Sequence, residues 1–134
     1  MRQPLPQLHL AVVGSRNFSR LDLVSAALDS FGPCVVVTGG AKGVDQTAGY
    51  EAQRRGWTVK LFLPEWHLHG RQAGMLRNVQ IVDHSDGVLV FWDGRSRGTK
   101  HSLDLARLRK KPLILVQEIN SEVVVTAENL ECNH

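Results

Sequence analysis

Four short stretches of this chain gather glycines, hydroxyls and cations in the proportions that anion chemistry needs: GSRNF (14–18), TGGAKGVD (38–45), LPEWHLHGRQAGMLRN (63–78) and WDGRSRGT (92–99). Glycine leaves backbone N–H groups open to a ligand, and a helix starting after such a loop adds the positive end of its dipole, worth about 0.3–2 kcal/mol per helix end. Gly39, Gly40, Lys42, Gly98 and Thr99 are suited to surround a phosphate, and Gly14, Ser15, Thr38, Gly43, Gly94 and Ser96 join them as candidate ligand-binding residues. Arg16 and Arg77 suit a second anionic or ribose-side group, Asn78 is a further ligand-binding candidate, and Trp66 either stacks a base or closes a hydrophobic corner. TGGAKGVD fits neither the P-loop pattern nor the G-x-G-x-x-G fingerprint, so the loop is read from its physical properties alone. Three carboxylates, Asp45, Glu65 and Asp93, lie in or beside the same loops. Tethering its own loop is the first reading for Asp45. For all three, catalysis enters only if the protein is an enzyme.

Other polar clusters carry less. RLRKK (107–111) places cations in the last turn of an expected helix, where they complement the dipole. His67 and His69 have no third or fourth partner at metal-ligand spacing, so no metal is expected. Cys34 and Cys132 are too isolated to suggest a disulfide framework or a zinc site.

The elements that must position these loops follow from hydrophobic periodicity. Leu8–Val13, Val35–Val37, Trp57–Leu63, Val88–Phe91 and Leu113–Val116 read as strands, short and continuous enough to be buried on both faces. Between them, Leu21/Val24/Leu28/Phe31, Val44/Ala48/Ala52, Met75/Val79/Val82 and Leu105/Leu108 give four helices an apolar stripe each. Gly32-Pro33, Gly56 and Lys111-Pro112 punctuate their ends. The alternation predicts an α/β fold, a Rossmann-like three-layer sandwich of about five parallel strands with helices on both faces. Ligands of such sheets sit beyond the carboxyl ends of the strands, and all four loops occupy that edge, with helix starts before residues 44 and 100.

At 134 residues and 43% hydrophobic, the chain suits one domain, residues 1–118, with a tail over 119–134 whose Val123–Val125 fits an added edge strand. A net charge of +3 is well short of a duplex-DNA binder's basic stripe. The start of the chain lacks the apolar run of a signal peptide or membrane span, so a cytoplasmic protein with no membrane association is expected.

Taken in order, GSRNF, TGGAKGVDQTA, LPEWHLHGRQAGMLRN and GRSRGTKHSLDLA resemble the YspA-like branch of the SLOG superfamily, which also holds the LOG enzymes and the DNA-processing protein DprA. The resemblance spans about residues 10–116. It implies binding of a nucleotide or nucleotide-derived molecule, as a sensor or processing protein of a bacterial or phage system, with no separate cofactor and with pairing into homo-oligomers. By position, Gly39 and Gly40 match the family's first phosphate-side loop, Gly98 and Thr99 the second, and Arg77 an active-site arginine of LOG enzymes. The LOG pattern P-G-G-x-G-T-x-x-E departs here: Ser102 stands where its glutamate would be. Serine cannot stabilise an oxocarbenium-like state, so binding is favoured over N-glycosidic hydrolysis unless Asp45, Glu65 or Asp93 substitutes. A DprA-like single-stranded DNA binder is a further alternative. One tryptophan and no aromatic series argue against nucleic acid as the partner.

Overall fold

Strands sandwiched between two helical layers need an apolar side chain at nearly every position. In the computed structural model, which describes residues 7–130, β1 (His9–Gly14), β2 (Val35–Thr38) and β4 (Gly87–Trp92) meet that demand. They form the centre of a six-stranded sheet with β3 (Val59–Leu61), β5 (Leu113–Ile119) and β6 (Glu122–Glu128), ordered β3-β2-β1-β4-β5-β6. The first five strands are parallel, with Ala11 opposite Val37 on one side and Val88 on the other. The sixth is antiparallel.

The connecting helices are α1 (Asp22–Phe31), α2 (Val44–Arg54), α3 (Trp66–His69), α4 (Ala73–Asp83) and α5 (Arg97–Leu108), with a 3₁₀ turn over Gly70–Gln72. Strand alternation splits the core into two layers. Val12, Val36, Leu89 and Phe91 pack with Val24 and Leu28 of α1 and with Ala48 and Ala52 of α2. Ala11, Val37, Val90 and Leu115 pack with Ile81 of α4 and with Leu103 and Ala106 of α5. The result is the Rossmann-like α/β sandwich expected, with one strand more than five.

The extra strand lies in the tail. β5 continues to Ile119, then turns through Asn120 and Ser121, both left-handed at φ 52° and 65°, into β6. Two left-handed residues are what a tight hairpin between twisted strands requires. β3 is shorter than the Trp57–Leu63 run, because as an edge strand it pairs only with β2, from Val59 to Leu61. Two helix stripes are also corrected. Met75 and Leu108 are exposed, at 56% and 70%. The sheet-facing side of α4 carries Asn78, Ile81 and Val82, and that of α5 carries Thr99, Ser102, Leu103 and Ala106. The α5 stripe becomes polar at the helix end nearest the glycine loops, while Asn78 interrupts the α4 stripe midway between the buried Ala73 and Ile81. Cys34 is buried and has no disulfide partner among the described residues, and Cys132 lies outside them. No helix among the described residues is long and apolar enough to cross a membrane.

Candidate functional site

The strand order reverses between β1 and β4, since β2 and β3 extend one way and β5 the other. A crevice opens beyond the carboxyl ends at such a switch point. Here it holds a cavity of about 450 Å³. Its walls come from the loop after β1 (Gly14, Arg16, Asn17), the β2–α2 connection (Ala41, Asp45), the middle of α4 (Arg77, Asn78), the loop after β4 (Asp93, Arg95, Ser96) and the first turns of α5 (Gly98, Thr99, Ser102). Helix α2 begins at Val44 and α5 at Arg97, so two helix N-termini face this edge.

The loop after β4 is built to present backbone donors. Asp93 Oδ1 accepts the N–H groups of Arg95 and Ser96, each at 2.8 Å, curling the chain into the helix start. The Ser96 hydroxyl then caps α5 by accepting the Thr99 N–H at 3.3 Å. The N–H groups of Arg97 and Gly98 have no protein acceptor among the described residues and are left for a ligand. Beneath them, the buried Ser15 hydroxyl donates to Thr99 Oγ1 at 3.3 Å and accepts the Asp93 N–H at 3.1 Å, which ties the β1 loop to the β4 loop. Burial acts upward on the Asp93 carboxyl. It is outweighed by the hydrogen bonds from Ser96, Arg95 and Ser15, which hold the group below its ordinary range and keep it ionised.

Asp45 ties the opposite side. Only 5% exposed, its carboxylate accepts the Gly14 N–H at 3.2 Å and the Ala41 N–H at 3.4 Å, bridging the first two loops. Burial pushes its pKa up to about 6, against the opposing pull of the Arg77 charge and the N–H groups of Ala41, Gly14 and Gly39. Arg77 lies across the cavity wall, donating from Nη1 to the Gly39 carbonyl at 2.8 Å and from Nε to Asn78 Oδ1 at 3.1 Å. Burial lowers the guanidinium pKa, the Asp45 charge opposes that, and the Arg16 charge adds to it.

Two glycines make this arrangement possible. A side chain on Gly39 would collide with the Arg77 guanidinium, so only glycine lets the arginine cross the β2 loop. Gly43 has φ +85°, and a Cβ there would sit 2.5 Å from the Arg16 carbonyl oxygen, so the β1 loop closes onto α2 only over a bare backbone.

The residues singled out in the sequence fall into three groups. Gly14, Arg16, Arg77, Asn78, Ser96, Gly98, Thr99, Asp45 and Asp93 line the cavity. Ser15 and Thr38 are buried beneath it, Thr38 spending its hydroxyl on the Val12 carbonyl. Gly39, Gly40, Lys42, Gly43, Trp66, Glu65 and Gly94 lie outside the lining. Gly40 faces Leu61 and Leu63, Lys42 is exposed, and Glu65 lines a neighbouring cleft with His69 and Leu76. Asn17 and Arg95 line the cavity as well, although only their place in the loops marked them beforehand. Asp45 and Asp93 are the carboxylates brought to the cavity, and both are engaged by loop N–H groups.

Comparison with known proteins agrees with this fold. The sequence model of a family described as "YspA, cpYpsA-related SLOG family" matches residues 8–69. The Gene 61 protein of Mycobacterium phage D29 is 38% identical over 86 residues, covering 60% of this chain and 69% of the phage protein. DNA processing protein A (DprA) from Helicobacter pylori superposes with a TM-score of 0.68 at 22% identity, over 88% of this chain and 69% of that one. DprA from Streptococcus pneumoniae gives a TM-score of 0.70, also at 22% identity, over 82% of this chain and half of that one. The H. pylori protein is described as having a single-stranded DNA binding mode. This corrects the expectation that nucleic acid is not a partner. Net charge averages over the whole surface, whereas a single strand needs only a few cations concentrated on one edge and a stacking surface, and no long aromatic series.

Proposed function

Because the chain belongs to the YspA, cpYpsA-related SLOG family, we propose that the crevice above β1 and β4 binds a nucleotide unit through its phosphate, and that the unit belongs to a single strand of DNA. The observation that carries the reading is the convergence of Arg16, Arg77 and Arg95 with the open N–H groups at the start of α5 on one cavity. The phosphate lies at the α5 N-terminus, where backbone donors and the helix dipole act together. Arg77, held in place by Gly39 and Asn78, fixes its orientation. The DprA-like fold supports a strand over a free nucleotide as the source of the unit.

Fluorescence anisotropy with labelled oligothymidylate, with thymidine 5′-monophosphate as competitor, tests this across a salt series. Neutralising the one phosphate that the three arginines share contributes about −0.7 to the slope of log K against log salt for the oligomer. A mononucleotide that binds while the oligomer does not makes the free nucleotide the ligand. Binding of neither refutes the reading.

A second reading, hydrolysis of an N-glycosidic bond, is favoured by one observation. Asp45, with its pKa raised to about 6, lines the same cavity. A carboxyl poised near neutrality can guide water or meet positive charge developing on ribose. Release of free base from a nucleoside monophosphate, abolished in Asp45→Asn, is its test.

A further inference from the structure

A second cleft, of about 360 Å³, opens beside the first. Arg77, Asn78 and Gly98 line both, so the two are continuous across a shared wall. The second cleft's own lining is Arg71, Gly74, Met75, Arg97 and His101, with no carboxylate. Away from the two clefts the surface arginines find acids: Arg20 pairs with Asp22, Arg54 and Arg55 with Glu51, Arg107 with Glu128 and Arg109 with Asp83. Arg71 and Arg97 form no ion pair among the described residues. Unpaired cations gathered around one concavity repel each other and focus a positive field into it, which an anion relieves.

Hydrogen bonding gives this cleft a further donor. Asn78 accepts from Arg77 Nε through Oδ1 and donates through Nδ2 to the Gly98 carbonyl at 3.3 Å, which fixes the amide's orientation. The same Nδ2 lies 3.1 Å from His101 Nδ1. That ring nitrogen is therefore the acceptor, and the neutral imidazole carries its proton on Nε2, which has no protein partner among the described residues. At the rim stands Trp66, 57% exposed, its Cη2 3.6 Å from the point where a Cβ on Gly74 would lie. The indole thus settles against the edge of the cleft at Gly74 with most of its surface open. Arginines, a ring donor and an open indole beside a first phosphate site are the parts of a single-strand track.

We propose that this second cleft takes the neighbouring nucleotide of the same strand, with Arg71, Arg97 and His101 on its phosphate and Trp66 stacked on its base. The proposal rests on the reading of the first crevice and specifies the ligand as at least a dinucleotide unit. Arg77 and Asn78, shared between the clefts, couple the two positions.

The test uses thymidine 5′-monophosphate and fluorescein-labelled octathymidylate on the wild type, the double variant Arg71→Ala/Arg97→Ala, and Trp66→Ala. All three side chains are exposed, and unchanged melting temperatures confirm that the variants fold. In the double variant, mononucleotide affinity should stay within about twofold while the salt slope for the octamer becomes shallower by about 0.7, one phosphate contact's worth. Trp66→Ala should weaken the octamer by about 5- to 100-fold and leave the mononucleotide unaffected. Octamer binding unchanged in both variants, or mononucleotide and octamer weakened equally, overturns the second subsite while leaving the first intact. A wild type that binds neither probe overturns both.

Discussion

Replacing Asp45 with asparagine isolates the energetic cost of the buried carboxylate. A carboxyl whose folded pKa is raised holds its proton more tightly in the native state, so its contribution to stability falls as pH climbs from about 4 to about 6. With a folded value of about 6 against an ordinary 3.8, the ionised group costs the native state about 1 kcal/mol at pH 4.5 and about 3 kcal/mol at pH 7.5. Asparagine removes that cost. It can accept only one of the two N–H groups that Asp45 takes from Gly14 and Ala41, a loss of about 1 kcal/mol at every pH. For a chain of this length, 1 kcal/mol moves the melting temperature by about 3.5 °C. The variant should therefore match the wild type at pH 4.5 and melt about 7 °C higher at pH 7.5. Thermal unfolding of both proteins at the two pH values, followed by circular dichroism, reads this difference directly, because other titrations cancel. A gap between variant and wild type that is the same at both pH values would refute the reasoning. It would mean that Arg77 and the loop N–H groups already compensate the charge fully.

Phosphodiester binding should tighten as pH falls from 8 to 6, because a bound anion raises the Asp45 pKa further and draws in a proton. Isothermal titration of octathymidylate in two buffers of different ionisation heat measures that uptake, and Asp45→Asn should abolish it. Arg77→Ala should weaken binding by more than tenfold, and Arg77→Lys should not restore it, since an ammonium cannot span the Gly39 carbonyl and Asn78 while facing the ligand; anisotropy on both variants checks this. Gly43→Ala should cost about 2–4 kcal/mol by thermal unfolding, combining a left-handed backbone with a collision at Arg16. Gly94→Ala, left-handed but in open space, should cost only about 1 kcal/mol.

The central strands were legible because burial on both faces leaves an uninterrupted apolar signature, as in Val35–Val37 and Val88–Phe91. Edge strands carry a weaker one. β6 is exposed along nearly its whole length, and only its valines marked it. The stripes of α4 and α5 were misjudged where the buried face turns polar, because Asn78, Thr99 and Ser102 face the cavity or the loop network and break the apolar period. The glycine loops were visible because their composition is itself the physical requirement. Which cations enter the cavity was not, since side-chain direction depends on the turn. Lys42 sits in the most glycine-rich loop yet is exposed away from the lining, whereas Arg77, well beyond the next strand in the middle of α4, crosses Gly39 to reach it.

The most direct test of nucleotide binding at the β1–β4 crevice is a titration of the ¹⁵N-labelled protein with octathymidylate, followed amide by amide. The largest shifts should fall on Arg16, Asn17, Ala41, Arg77, Asn78 and the Ser96–Thr99 backbone, the residues that converge on the cavity. Shifts confined to the β5–β6 face around Val123 and Val125, or absent at saturating oligomer, would contradict the assignment.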